Sequence, residues 1–223
     1  LYPRSNVELP LMPQGDLKDV DSIGIRMAHR EHFQYIRTMA KPDEDRGSHQ
    51  RLVQSYQAAA SYADNVVGRL LDKLDASGRA DKTVIVLWSD HGYHLGDKES
   101  CVKFTLWEKA NHVPYIIVAP GVTTPGTRVD QPVSLLNIFP TLIELCGLPA
   151  KEDLDGHSLV PLMKDPGYDW PHPAIQTMGK NNHAVRTERY RYIQYSDGTE
   201  ELYDHKYDPW EWSNLAGDEK YSD

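Results

Sequence analysis

The stretch VLWSDHGYHLGDKE, residues 86–99, carries the strongest indication of both fold and chemistry in this sequence. It continues an apolar, β-branched run, Thr83–Trp88, which is typical of a strand covered on both faces and hence of a parallel sheet between helices. The run ends abruptly at Asp90, His91 and Gly92. Ligands of open α/β sheets bind outside the carboxyl ends of the strands, so two potential metal ligands stand where a site is expected.

The composition of the 223-residue chain is that of a soluble globular protein, with 39% hydrophobic and 26% charged residues. A net charge of −9 argues against a nucleic-acid partner, since phosphate binding needs clustered Lys and Arg. No apolar run approaches the roughly 20 residues of a membrane-spanning helix. Cys101 and Cys146 give neither a disulfide framework nor zinc spacing, and Leu1–Pro10 lacks a signal-peptide pattern.

A long amphipathic helix is predicted before the opening strand. Apolar residues recur at helical spacing from Ser48, a plausible N-cap, to Ser77, and Gly78 follows where a left-handed C-cap is expected. A short helix is also predicted over Met27–Thr38. A long helix followed directly by a buried strand is the order expected in an α/β domain.

The pattern after the opening stretch continues in the same way. A second apolar run, Val113–Ala119, predicts another buried strand. Asn137 is expected to cap a helix that ends near Cys146, and this cysteine is interpreted as a small buried hydrophobe. Ser158 is a candidate cap for one more short helix.

The C-terminal part has a different sequence pattern. Arg191–Tyr195 and Glu200–Tyr203 alternate in polarity on either side of Asp197-Gly198, which is a hairpin signal. We therefore predict an α/β unit over residues 1–165 and a small antiparallel β subdomain over residues 166–223.

The residues at the strand end suggest a metal-dependent reaction. Asp90 and His91 form a reasonable half-site for a divalent cation, although calcium or magnesium would need further oxygen ligands. The alternative is that Asp90 caps a turn while His91 is an ordinary loop histidine. Lys103, beyond the polar loop Gly96–Ser100, could supply positive charge to a tetrahedral oxyanion, but it could equally be a solvated surface lysine.

A family resemblance favours the interpretation that Asp90, His91 and Lys103 belong to an active site. The stretch SDHGYHLGDKESCVKFTLWEKANHVPYIIVAPG, residues 89–121, resembles the second signature region of type I sulfatases of the alkaline-phosphatase superfamily, and among these the iduronate-sulfatase-like branch. Other similar segments in the same order include QSYQAAASYADNVVGRLLDKL, SLLNIFPTLIELCGLP and the C-terminal AVRTERYRYIQYSDGTEELYDHKYDPWEWSNLA. The matching positions of the signature are Asp90-His91, Leu95-Gly96-Asp97, Lys103, Leu106-Trp107-Glu108 and His112-Val113-Pro114.

The resemblance implies an alkaline-phosphatase-like α/β sandwich, with a mostly parallel sheet covered by helices and a small antiparallel sheet after it. It implies that Asp90 and His91 are metal ligands, usually to calcium, with magnesium possible. His91 and Lys103 would be the catalytic residues in this chain, with Lys103 near the bridging oxygen of the sulfate ester. The substrate would be faced by Tyr93, His94 and His183, the last of these in the Gly179–Arg186 loop. Cys101 departs from the aromatic residue expected at that position.

The resemblance also implies that part of the site lies elsewhere. The family's Cys/Ser-x-Pro-x-Arg motif, the source of its formylglycine nucleophile, is absent here, as are the early Asp-Asp pair and the N-terminal Lys and His. We therefore expect the chain to be the C-terminal half of a sulfatase, to need the N-terminal half of the same protein as its partner, and to be inactive alone.

The expected substrate is a sulfated carbohydrate, and a periplasmic, secreted or lysosomal location follows from the resemblance alone. Since the net charge is −9, local cations would have to attract such a polyanion: Lys98, Lys103, Lys109 and Arg186. Two alternatives stay open. One is a phosphodiester or phosphonate hydrolase of the same superfamily, and the other is a non-catalytic fragment that retains the fold.

Overall fold

A computed structural model of the chain describes residues 2–30 and 46–221. Within these ranges the helices are α1 (Ser22–Ala28), α2 (Arg46–Ala76), α3 (Glu108–Asn111), α4 (Ile138–Leu145) and α5 (Val160–Lys164). The strands are β1 (Ile85–Trp88), β2 (Tyr115–Val118), β3 (Ala174–Thr177), β4 (His183–Arg186), β5 (Tyr190–Gln194) and β6 (Glu200–Asp204). None of the helices in the described ranges combines the length and apolar character of a bilayer span.

The long helix predicted before the strand is present as α2. It begins at Arg46, so the expectation that Ser48 is its N-cap is wrong. Its end agrees with the sequence pattern, because Gly78 has a φ of +66°, a left-handed conformation that costs glycine little. The helix predicted over Met27–Thr38 lies largely outside the described residues, and α1 ends at Ala28.

Strands β1 and β2 form a two-stranded antiparallel ladder in which Ile85 pairs with Val118 and Trp88 pairs with Tyr115. The parallel arrangement expected from the first run is therefore wrong for this pair. The connection between the strands holds only the single-turn helix α3 and returns to the end of the ladder that it left, whereas a parallel pair needs a crossover to the opposite end. Leu87 is also exposed, so burial on both faces is not seen within the described residues.

Helix α4 has the expected Asn137 at its N-cap position, but the Asn137 side chain closes a capping box on the 3₁₀ turn Leu135–Asn137 that leads into the helix. The Ser134 side chain accepts a hydrogen bond from the Leu136 N–H at 3.2 Å, and the Asn137 side chain accepts one from the Ser134 N–H at 2.7 Å. The expectation that Cys146 is buried is wrong, since its thiol is exposed. Phe139 is also exposed, so part of the apolar surface of α4 faces away from the rest of the described chain.

The C-terminal part is a four-stranded antiparallel sheet in the order β3-β4-β5-β6. The predicted hairpin is confirmed as β5 and β6, which pair from Tyr190 with Asp204 to Gln194 with Glu200. The sequence did not reveal β3 and β4. As a result His183, which was expected in a loop, is the first residue of strand β4.

The sheet packs through its inner face on α1 and on the segment that leads into α3. Ala184 and Ile193 of the sheet are fully buried in one cluster with Leu106 and Trp107. Burying such side chains contributes roughly 1.5–3 kcal/mol each. This cluster joins the C-terminal sheet to the polypeptide between β1 and β2.

A buried carboxylate lies at the centre of this contact. Glu201 accepts hydrogen bonds from Trp107 Nε1 at 2.7 Å, from the Tyr195 hydroxyl at 2.7 Å and from the Tyr203 hydroxyl at 2.6 Å. All four residues are buried. The carboxylate therefore satisfies three donors that would otherwise lie unpaired in the core.

We expect Glu201→Ala to lower the free energy of unfolding by about 3 kcal/mol or more, because three buried donors lose their acceptor. Equilibrium denaturant unfolding of the chain measures this loss. The control is Glu200→Ala, at the exposed neighbouring position where the carboxylate accepts from the Tyr192 hydroxyl, and it should cost less than about 1 kcal/mol. Equal effects of the two substitutions would contradict this role of Glu201.

Candidate active site

Asp90 and His91 lie together just beyond the carboxyl end of β1. His91 Nε2 is 3.5 Å from Asp90 Oδ2, and the Asp90 side chain is 82% exposed. His91 Nδ1 is 2.8 Å from the carbonyl oxygen of Gly92, which can only accept, so Nδ1 carries the proton and a neutral ring keeps its lone pair on Nε2. An exposed carboxylate beside a free imidazole nitrogen fits two ligands of a divalent cation whose other ligands come from elsewhere.

The pair is held by backbone contacts on both sides. The Ser89 hydroxyl donates to the His91 carbonyl at 2.8 Å, and the Gly92 N–H donates to the Ala110 carbonyl of α3 at 2.8 Å. A Cβ at position 92 would collide with the carbonyl of Lys109. Glycine is therefore needed here because the strand end and α3 touch backbone to backbone.

His94 is enclosed by residues of its own chain. Its side chain is fully buried, with Nδ1 2.5 Å from Asp97 Oδ2 and Nε2 2.7 Å from the Thr105 hydroxyl. The ring also meets Trp107 edge to face. Both ring nitrogens are therefore used within the protein and hold the loop that follows Asp90 and His91. The substrate-binding role expected for His94 stays a prediction.

Tyr93 and Lys103 are brought close in the fold, because a hydrogen bond from the His94 N–H to the Val102 carbonyl at 3.0 Å closes the intervening loop. Burial raises the pKa of Tyr93, with smaller contributions from neighbouring Cys101 and Tyr56. The ammonium of Lys103 lies 5.5 Å from the centre of the Phe104 ring. Within the described part of the chain it forms no ion pair with a carboxylate, so its charge is available to a ligand.

The remaining loop residues are structural. Asp97 accepts a hydrogen bond from the Leu95 N–H at 3.1 Å in addition to its contact with His94. Lys98 is buried and pairs with Asp16 at 3.0 Å, so the expectation that Lys98 attracts an anionic substrate is wrong. Burial also raises the pKa of the Cys101 thiol to about 12, which leaves it protonated and unreactive.

His183 lies on the C-terminal sheet with an exposed side chain. Its Nδ1 is 2.9 Å from the Thr177 hydroxyl on the neighbouring strand β3. Among the described residues, no hydrogen bond links it to the loop that carries Asp90. Its expected contact with a substrate stays a prediction.

A cluster of charged residues, most of them buried, links α3 to the C-terminal sheet. The sequence analysis did not predict this cluster. Arg191, only 1% exposed, forms ion pairs with Glu108 and with Glu211, the latter at 2.7 Å. His205 Nε2 lies 2.9 Å from Glu211 Oε1, and Arg186 pairs with Glu108 at 3.3 Å. A signal existed, since Arg191 shares the inward face of β5 with Ile193 two residues on.

The two carboxylates and His205 are close enough to one another to hold a metal ion. The guanidinium groups of Arg191 and Arg186 already neutralise them, so the cluster is an ion-pair network. Burial alone would raise the pKa of Glu108, but hydrogen bonds from His112 and Arg191 and the charge of Arg186 outweigh it and hold that pKa well below its usual range.

This depressed pKa predicts acid sensitivity. The stabilisation from ionised Glu108 is fully present above the unfolded-state pKa of about 4.5 and is lost as the pH falls towards the folded-state value. Thermal unfolding midpoints measured between pH 7 and pH 3 should fall, and Glu108→Gln should be less stable at pH 7 with a flatter profile below pH 4.5. Glu188→Gln, at an exposed position on the neighbouring turn, is the control. A slope unchanged by Glu108→Gln would contradict the assignment.

Comparison with known proteins identifies the family. The Sulfatase family matches residues 27–148, and the family described as N-sulphoglucosamine sulphohydrolase, C-terminal, matches residues 96–223. A relative named Sulfatase from Formosa agariphila is 41% identical over 222 residues, which are 99% of this chain and 43% of the relative. The chain belongs to the sulfatase family, and it spans less than half the length of this relative.

Solved structures share the fold of this chain. A phosphonate monoester hydrolase from Silicibacter pomeroyi aligns with a TM-score of 0.83 and 24% identity, covering 99% of this chain and 48% of that one. A protein solved in complex with its substrate D-glucosamine-2-N,6-O-disulfate aligns with a TM-score of 0.69 and 25% identity, covering 87% of this chain and 42% of that one. The alkaline-phosphatase-like α/β fold expected from the sequence is confirmed.

Proposed function

We propose that this chain forms the C-terminal half of a sulfatase that hydrolyses sulfate esters of sugars, in the iduronate-sulfatase-like branch. The observation that carries the proposal is the pair of Asp90 and His91, exposed at the end of β1 with two ligand atoms 3.5 Å apart. The names of the matching families and of the Formosa relative support the reaction, and the structure solved with a disulfated glucosamine supports the substrate class.

Asp90 and His91 would hold calcium, or magnesium in its place, together with carboxylates from the N-terminal half. A cation bound there would neutralise the sulfate oxygens. The nucleophile, a formylglycine, would also come from the N-terminal half. The donor set suits a site shared between two halves, since two protein ligands fall short of the six to eight oxygens that calcium prefers.

The other residues of this chain would serve the same site. Lys103 would place its charge against the oxygen of the departing alcohol, where negative charge develops. Tyr93 would line the approach beside it, and His183 would contact the sugar from the C-terminal sheet. His94 would act only indirectly, because it holds the loop that positions Tyr93 and Lys103.

The N-terminal half would also cover apolar surface. Trp88 and Ile116 on the β1–β2 ladder are about half exposed, and on α2 Tyr62 and Leu70 are 73% and 69% exposed. Side chains of this kind are stabilised by roughly 25 cal/mol for each Å² that is removed from water. Cover by the N-terminal half would explain why β1 and β2 have the apolar composition of buried strands. We also propose a periplasmic, lysosomal or secreted location, which the family of the chain supports.

We expect Asp90→Ala in the whole sulfatase to weaken calcium binding and to reduce sulfate release from a sulfated sugar at least 100-fold, because the metal loses a charged ligand. Calorimetric calcium titration and sulfate release measure the two effects. The matched control is Asp81→Ala, an exposed carboxylate before β1, which should change neither. Full turnover of the Asp90 variant would contradict the proposal.

A second expectation separates the reaction classes. Lys103→Ala should lower kcat for sulfate esters by about 100-fold or more, whereas Lys82→Ala, at an exposed position before β1, should not. Steady-state kinetics on sulfate esters, phosphate diesters and phosphonate monoesters of the same alcohol provide the test. A preference for either phosphorus substrate would favour the phosphodiester or phosphonate hydrolase alternative.

The role of the two halves can be tested by reassembly. This chain alone should release no sulfate, and mixing it with the separately expressed N-terminal half should restore release and calcium binding. We also propose that residues 166–223 form a structural subdomain. Failure to form a calcium site in a verified complex would favour the non-catalytic alternative.

A further inference from the structure

An open cavity of about 570 Å³ lies between α3, the β4–β5 turn and the segment that follows β6. Its basic lining residues are Lys109, Arg186, Arg189 and Lys206. The indole of Trp210 forms an apolar wall and is 42% exposed. A cleft of this size with an aromatic wall and a few charged groups is typical of a site for a small polar ligand.

The cavity is positive in an otherwise acidic chain. Its four Lys and Arg residues face two acidic ones, Glu108 and Glu188, while the whole chain carries −9. Glu108 is already paired with Arg191 and Arg186, and Arg189 is paired with Asp204, so the positive excess of the lining comes from Lys109 and Lys206. A local excess of positive charge against an acidic background favours an anionic ligand.

Two of the basic side chains are free to bind. Lys109 lies with its ammonium 4.5 Å from the centre of the Trp210 ring, and Lys206 lies 5.2 Å from the centre of the Tyr207 ring. Within residues 2–30 and 46–221 neither one forms an ion pair with a carboxylate. Arg189, in contrast, is bound at 2.6 Å to buried Asp204, which fixes its position at the cavity edge.

The cavity opens at the same end of the β1–β2 ladder as the metal pair. Trp88, the last residue of β1, pairs with Tyr115, the first residue of β2, and the Ser89 N–H donates to the Pro114 carbonyl at 3.2 Å. The Gly92 N–H binds the carbonyl of Ala110 in α3, the helix that carries Lys109. The two sites are thus joined through one backbone contact.

We propose that this cavity is a second anion subsite, which binds a sulfate or carboxylate on a sugar of the substrate while the ester to be cleaved lies at Asp90 and His91. Lys109 and Lys206 contact the anionic group, and Trp210 packs against the apolar side of the sugar ring. The inference rests on the proposed sulfatase function and narrows its substrate to oligosaccharides with at least two anionic groups.

Removal of the two free lysines tests the subsite in the whole sulfatase. In the double variant Lys109→Ala, Lys206→Ala, the ratio of kcat/KM for a disulfated disaccharide to that for a small aryl sulfate should fall about five- to tenfold. The loss should lie in KM and should shrink at high salt, because exposed charge contacts are screened. The double variant Lys109→Arg, Lys206→Arg should restore the ratio.

The control is Lys82→Ala with Lys220→Ala, two exposed lysines outside the cavity, which should leave the ratio unchanged. A disaccharide with a uronate in place of its second sulfate distinguishes the two anions, and one with a neutral neighbouring sugar should show no loss in the Ala variant. An unchanged ratio for both charged disaccharides would overturn the subsite.

If the proposed function is wrong, the unsubstituted protein will not hydrolyse the aryl sulfate. This result differs from the unchanged ratio that would overturn the subsite. Calorimetric binding of the disulfated disaccharide to that protein and to the Ala variant still tests the subsite in that case. Affinity that is about five- to tenfold weaker in the variant supports the subsite, and equal affinity overturns it.

Discussion

The arrangement of the C-terminal half of the structure depends on the contacts of the buried Arg191 guanidinium. It donates to the Leu106 carbonyl at 3.0 Å and to Gln176 Oε1 at 3.1 Å, and it pairs with Glu108 and Glu211. Burying one charge is costly unless its partners are equally well placed, so the positions of four separate segments are fixed together. Strand β5 is thereby tied to α3.

This coupling explains how a surface pair such as Asp90 and His91 can be precisely placed. Asp90 is exposed and His91 is half-buried, and the two side chains make few contacts. Its position comes from the backbone bond between Gly92 and Ala110, and Ala110 belongs to the helix that begins at Glu108. The charged cluster, α3 and the strand end form a chain of short contacts, so the site rests on rigid parts of the fold.

The sequence predicted elements better than their arrangement. The α2 helix, both apolar strands and the β5–β6 hairpin follow from spacing and turn residues, which act locally. The antiparallel pairing of β1 with β2 and the exposure of Cys146 could not be predicted in this way. The apolar composition of a strand or helix indicates that it is buried, but it does not identify the segment that buries it. The contact of His94 with Asp97 was missed for a related reason: a histidine beside two candidate metal ligands has the same spacing whether it faces a substrate or holds the loop.

The two-stranded ladder has one further consequence. Among the described residues, β1 and β2 each have a neighbour on one side only, and the unpaired side of each strand presents backbone donors and acceptors. Leu87 and Ile116 add exposed apolar side chains to that surface. Such a ribbon is a template for strand addition. A strand added from elsewhere in the protein would satisfy these backbone groups, and it would compete for the same edges with strands from other copies of the chain.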